Sequence, residues 1–114
     1  MNIDRMTSRA AEVEHILKAL ANRNRLIILC ELHGKERSVA QLVEAVGLSQ
    51  SALSQHLARL REDKVVSTRR EGTSIYYRLS DPHIIKIIGL LYELYCADEY
   101  KKESKSKKSQ RDKD

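Results

Sequence analysis

The chain has 114 residues, of which 32% are charged, with a formal net charge of +5 and a pI near 9.3. That length fits one domain with a modest core, and no apolar run approaches the roughly 20 residues of a membrane span. The basic balance favours an acidic partner. The N-terminal residues carry no apolar leader, so the expected compartment is the cytoplasm, where Cys30 and Cys96 would not form a permanent structural disulfide.

Residues 1–7 are expected to be frayed. A helix follows from about Ser8 to Leu20, with Ala11, Ile16, Leu17 and Leu20 among its apolar positions. Asn22 is a good cap for a helix over Arg23 to His33. Leu26, Ile27, Leu29, Cys30 and Leu32 make that helix nearly apolar all round, so it should be central, and Gly34 should end it. Ser38 and Gln41 have the spacing of a capping box opening a short third helix. Val39, Leu42, Val43 and Val46 form its core face. Gly47 supplies a left-handed turn and Leu48 plugs the corner.

The next stretch, Ser49 to Arg61, organises the chain. Ser49 caps a helix in which Leu53, Leu57 and Leu60 form one apolar stripe. The opposite face carries Gln50, Ser51, Ser54 and Gln55, with no acidic residue among them, and Arg59 and Arg61 follow. Amides and hydroxyls can donate to and accept from base edges, and the lack of carboxylates avoids repelling phosphate. A short helix, a glycine turn and a longer second helix over Ser38 to Arg61 define a helix-turn-helix. An ordinary helical hairpin with a solvated polar face would have the same periodicity. The polar face and the turn chemistry favour the DNA-reading form.

After Lys64 the period changes to that of strands. Val65 to Arg70 is β-branched and extended, Glu71-Gly72-Thr73-Ser74 is a turn, and Ile75 to Leu79 alternates with Ile75, Tyr77 and Leu79 on one face. Arg69, Arg70 and Thr73 sit near the tip of this hairpin, where they would meet phosphate or the minor groove. Asp81 and Pro82 open a last helix. Its residues Ile84, Ile85, Ile87, Ile88, Leu91, Leu94 and Tyr95 cover too wide an apolar arc for one surface of a small domain. A homodimer covering Ile84, Ile88, Leu91 and Tyr95, with help from the first helix, is the expected arrangement. It would set two reading helices on one duplex with an inverted-repeat operator.

Residues 98–114 hold seven Lys/Arg against five Asp/Glu and should form a disordered charged tail. The segment 49–80 holds six against three, so much of the basic excess of the folded part belongs to the reading helix and hairpin. The expected organisation is a winged helix-turn-helix over 1–97, mainly α with a β-hairpin wing, followed by the tail. Nothing resembles an enzyme: there is no Cys-x-x-Cys, no glycine-rich phosphate loop and no paired carboxylates. His15, His33, His56 and His83 are dispersed, and His56, within the reading helix, is a DNA contact or a packing residue.

Three stretches resemble the ArsR/SmtB family of small bacterial winged-helix repressors: Ala19 to Leu26, Gly47 to Leu57 and Ile75 to Leu79. The resemblance covers about residues 8–97. It implies a homodimer of order α1-α2-α3-α4-β-β-α5 that leaves DNA when its inducer arrives. Many members sense metals, but the family's metal positions are poorly matched. The start of the third helix, Ser38 to Leu42, has no cysteine. Asp81 and His83 fit one site's opening, whereas Leu94 and Ala97 stand where its closing ligands would be. No metal and no cofactor are therefore expected.

Cys30 and Cys96 fall where the thiol-based branch of the family carries its cysteine pair. The resemblance implies redox sensing: a persulfide or oxidant would link the two thiols within one subunit and weaken DNA binding. Only Arg23 and Arg25 are near enough in sequence to Cys30 to favour its thiolate. A chance pair of a buried and an exposed thiol is the plain alternative. Two other functions compete: an architectural regulator or antirepressor that needs no thiol inducer, and a metal-responsive repressor with unfamiliar ligands.

Overall fold

The computed structural model describes residues 1–97. The elements are α1 (Ile3–Leu20), α2 (Arg23–Glu31), β1 (Arg37–Ser38), α3 (Val39–Val46), α4 (Gln50–Glu62), β2 (Val66–Glu71), β3 (Ser74–Leu79) and α5 (Pro82–Tyr92), followed by a π turn over Glu93–Ala97. The expected charged tail, 98–114, lies outside the described residues.

Local chemistry explains most boundaries. The Asn2 side chain accepts from the Arg5 N–H at 3.3 Å, so α1 starts at Ile3. The expectation of frayed residues 1–7 is corrected: that cap satisfies a donor that water would otherwise take. Asn22 caps α2 through Arg25 N–H at 3.1 Å. This helix ends at Glu31, two residues earlier than expected. Beyond it the His33 N–H donates to the Cys30 carbonyl at 3.2 Å in a tighter turn, and Gly34 takes φ +78°. Ser38 and Gln41 form the capping box in both directions, at 2.9 and 3.2 Å.

Gly47 adopts φ +76° after α3, and Ser49 Oγ accepts from the Ala52 N–H at 3.1 Å to open α4. The end of α4 is less ordinary. Lys64 adopts φ +62°, its N–H donates to the Arg61 carbonyl at 3.0 Å, and the Val65 N–H donates to the Leu60 carbonyl at 2.9 Å. These are the two bonds of a Schellman motif, with lysine where glycine is usual. Val65 is spent on closing the helix, so the strand starts at Val66.

The sheet is antiparallel with order β1-β3-β2. In the hairpin Val66 faces Leu79 and Glu71 faces Ser74, leaving the two-residue loop Gly72-Thr73 with Gly72 at φ +64°. The third strand, β1, pairs Arg37 with Tyr77 and Ser38 with Tyr76. Two residues carry no alternation, so this strand has no signature in the sequence.

The core gathers Ile28, Leu29 and Leu32 of α2 and its end, Leu42 of α3, Leu53, Leu57 and Leu60 of α4, Val65, Val66 and Leu79 at the sheet, and Ile84 and Ile88 of α5. The last two correct an expectation. Ile84 is 0% and Ile88 1% exposed within one chain, so neither offers surface to a second copy. The wide apolar arc of α5 divides instead: one side closes the core, and Ile85, Leu90, Tyr92, Leu94 and Tyr95 remain exposed. Ile88→Ala should therefore lower the unfolding free energy in urea by about 2–5 kcal/mol through the cavity it leaves. A variant of wild-type stability that merely dissociated would return Ile88 to the interface.

Candidate nucleic-acid interface and thiol pair

Because Leu53, Leu57 and Leu60 are buried, the helical period turns Gln50, Ser51, Ser54, Gln55 and Arg59 outward, and all five are exposed. Among the described residues, none of the side chains of Gln50, Ser51, Ser54 and Gln55 is engaged in a hydrogen bond, which leaves their donors and acceptors available. Ser49 Oγ is occupied as acceptor in the cap, but its hydroxyl can still donate. His56 is half-buried on the flank of the helix. Arg59 makes one long ion pair, 3.7 Å to Asp63. A groove lined by Ser54, Gln55, Ala58, Arg59, Arg61, Glu62 and Tyr77 runs between this helix and the sheet.

The two arginines of the hairpin differ. Arg69 Nε donates to Glu36 Oε1 at 2.9 Å, its NH1 group donates to Glu71 Oε1 at 2.8 Å, and its guanidinium lies 4.9 Å from the Tyr76 ring centroid. The hydrogen bonds that Arg69 donates to Glu71 and Glu36 push its pKa further above the usual guanidinium range. Arg78 also approaches Glu36, at 3.7 Å. Arg69 thus faces two carboxylates. Arg70 and Thr73 are exposed, and among the described residues Arg70 makes no ion pair. Glu36, 33 residues before Arg69, has no sequence signal for this role.

Cys30 lies in the last turn of α2 and Cys96 in the π turn beyond α5, two helices that pack together. Both thiols are free and have exposed surface. Burial pushes the Cys30 thiol up, and the charge of Cys96 pushes it further. Cys30 is thus partly shielded from water although it keeps exposed surface. Neither Arg23 nor Arg25 sets this shift, so the expected thiolate stabilisation is corrected. Those side chains belong to the first turn of the helix, at the opposite end from Cys30. His33, which the sequence left among dispersed histidines, lines a cleft of about 260 Å³ with Cys30, Ile88, Gly89 and Tyr92. Its signal was its place three residues after Cys30.

At α5, Asp81 Oδ1 accepts from the N–H groups of His83 and Ile84 at 2.8 and 3.3 Å, so the carboxylate is in use as a helix cap. Among the described residues no three His, Cys, Asp or Glu side chains gather as a metal-holding group, and no helix is long and apolar enough to cross a membrane.

A helix-turn-helix whose second helix presents free amides and hydroxyls, flanked by a three-stranded wing with basic residues near its tip, defines a winged-helix DNA-binding regulator. Residues 22–68 match the model described as bacterial regulatory protein, arsR family. The chain is 48% identical over 96 residues to the transcriptional activator HlyU of Vibrio cholerae, covering 84% of this chain and 89% of the relative. The structure of reduced HlyU from Vibrio cholerae superposes with a TM-score of 0.77 at 48% identity, over 81% of this chain and 97% of that one. The transcriptional repressor BigR from Xylella fastidiosa gives a TM-score of 0.79 at 38% identity, over 84% and 98%. The chain belongs to the ArsR family, whose members are DNA-binding transcriptional regulators, and not to a family of enzymes.

The Cys30 shift has a measurable sign. A raised pKa keeps Cys30 as the unreactive thiol to higher pH. The midpoint of its alkylation by iodoacetamide should lie above that of an ordinary thiol. In Cys96→Ser the midpoint should fall, yet stay above the ordinary value, because burial is the larger cause. An unaltered midpoint in that variant would mean that the two sulfurs do not interact.

Proposed function

We propose that the chain represses transcription as a homodimer on an inverted-repeat operator, and that reactive sulfur or an oxidant releases it by joining Cys30 to Cys96. The observation that carries this reading is the placement of the two thiols, Cys30 in the last turn of α2 and Cys96 in the turn that continues α5, the helix packed against α2. The likeness to a protein described in its reduced form agrees with it. Cys30 is the disfavoured thiolate, so Cys96 is the first to react. Its thiolate takes the outer sulfur of a hydropersulfide and releases a thiolate. Cys30 then loses its proton and attacks the Cys96 sulfur, forming the disulfide and expelling hydrosulfide. With an oxidant, the leaving group on Cys96 is hydroxide from a sulfenic acid.

The exposed apolar residues support the dimer. Leu90, Tyr92, Leu94 and Tyr95 remain uncovered at the end of the chain's described part, with Tyr95 72% exposed. The outer side of α1 carries a shallow, mainly apolar groove lined by Met6, Ala10, Val13, Glu14, Leu17, Lys18 and Ala21. A second copy related by a two-fold axis covers both surfaces with one isologous contact. Leu91 and Tyr95 stay in this proposed interface, whereas Ile84 and Ile88 do not. A link between α2 and the π turn then restrains the helix leading to the reading unit against the dimer surface. Half-site spacing is geometric, so a small shift costs affinity at both half-sites.

On DNA, Gln50, Ser51, Ser54 and Gln55 supply the base contacts, with Ser49, His56 and Arg59 at their flanks. In the wing, Arg70 and Thr73 meet the backbone, and Arg69, held by Glu36 and Glu71, chiefly sets the hairpin's direction. Gln50→Ala should relax preference at one position in each half-site, a discrimination of roughly 1–3 kcal/mol. Arg70→Ala should weaken binding to all sequences alike and reduce the salt slope by about one unit per phosphate contact. Arg69→Ala should change the slope less. Equal slopes for both arginine variants would remove the division of labour between them.

The thiol switch is tested by operator binding before and after hydropersulfide, with mass spectrometry of the product. Reduced wild type should bind and the bridged form should release. Cys30→Ser and Cys96→Ser should each bind and ignore the reagent. A second reading is an architectural regulator or antirepressor that acts without a thiol inducer; the description of HlyU as an activator bears on the direction of regulation alone. Operator affinity independent of thiol state would select that one.

A further inference from the structure

Gly89 is an odd residue for its place. It lies inside α5, among Ile84, Ile85, Ile87, Ile88, Leu90 and Leu91, where a glycine forfeits helix stability relative to alanine. A Cβ built there would stand 3.3 Å from His33 Nε2 and 3.8 Å from His33 Cε1. The imidazole edge therefore rests against bare backbone, and any side chain at residue 89 would press on it. His33 is placed from the other side by its own N–H, which donates to the Cys30 carbonyl at 3.2 Å. Ring, thiol and glycine line one cleft of about 260 Å³ together with Ile88 and Tyr92. Among the described residues the His33 side chain makes no ion pair and no hydrogen bond. Nothing in the fold or in DNA reading uses this ring.

The thiol chemistry does have a use for it. Bridge closure needs the Cys30 proton removed, and burial makes Cys30 hold it more firmly than an ordinary thiol does. We infer that His33 accepts the proton of Cys30 Sγ as the bridge to Cys96 closes, and that Gly89 keeps the cleft open for the ring and the incoming sulfur. This rests on the thiol-pair reading above. In the closing step the Cys30 S–H bond breaks and its proton passes to a nitrogen of the neutral imidazole. The Cys30 Sγ electron pair forms the bond to Cys96 Sγ, and the bond from Cys96 Sγ to the outer sulfur breaks, which leaves as hydrosulfide. Imidazole is suited to this near neutral pH. The other titratable groups that line the cleft are Cys30 on α2 and Tyr92 on α5.

The test uses the full reduced chain and cysteine hydropersulfide, with acid quenching and mass spectrometry of the intrasubunit bridge across about pH 5.5–8.5. In wild type the rate of closure should bend with pH, falling where the accepting base is protonated. His33→Asn and His33→Gln should lose that bend and close about 10²-fold more slowly, while binding the operator like wild type when reduced. Free imidazole should restore closure in His33→Ala. Gly89→Ala should slow closure by crowding the ring. If the His33 variants close at the wild-type rate with the same bend, the assignment to His33 is overturned. If wild type forms no bridge at all, the thiol-pair reading falls, and this inference with it.

Discussion

The seating of Leu53, Leu57 and Leu60 is the contact on which the rest depends. Each is at most 1% exposed, and together they fix both the depth and the rotation of α4. At a helical period of 3.6, fixing one face fixes the other. Three leucines in the core thereby aim two glutamines and two serines at solvent without any contact of their own. Capping at Ser49 and the Schellman closure at Lys64 set the two ends, so the helix is defined in position, length and rotation. A side chain that must approach a base edge to about hydrogen-bond distance needs all three.

The wing is fixed by a different means. β1 is only Arg37–Ser38, yet it joins the hairpin to the start of α3, since Ser38 is both a strand residue and the α3 cap. Glu36, just before it, collects Arg69 and Arg78 from both strands of the hairpin. Exposed ion pairs contribute little stability individually. Here their effect is on direction, since they draw the hairpin towards the reading unit.

Much of this was legible in sequence because it is local. The caps at Asn22, Ser38, Ser49 and Asp81 and the turn at Gly47 depend on residues one to four apart, and each has a recognisable pattern. The order of the five helices, the hairpin and the exposed polar face of α4 are patterns of the same local kind. What escaped was nonlocal or atypical. Asn2 was overlooked because a chain end gives no contrast before the helix. Lys64 closes α4 with a residue that does not announce a left-handed turn. The two-residue β1 has no period, and the Glu36–Arg69 contact joins distant segments. The apolar arc of α5 signalled two partners but could not say which side faced which, so Ile84 and Ile88 were given to a dimer when the core claims them. The two cysteines stood out by their positions, whereas the cleft that Cys30 shares with His33 required the packing of α2 on α5.

The π turn at Glu93–Ala97 bears on how such a thiol pair is kept or lost. A plain α-helix advances each side chain by about 100°, and a widened turn amounts to one residue inserted into that progression. Cys96 therefore owes its bearing around the axis to chain length as well as to residue identity. Removing one residue between Tyr92 and Cys96 would keep both cysteines and still swing the Cys96 sulfur to another side of the helix. Among descendants of this chain, a single-codon deletion alters the relation of the two sulfurs as directly as replacing either cysteine abolishes it.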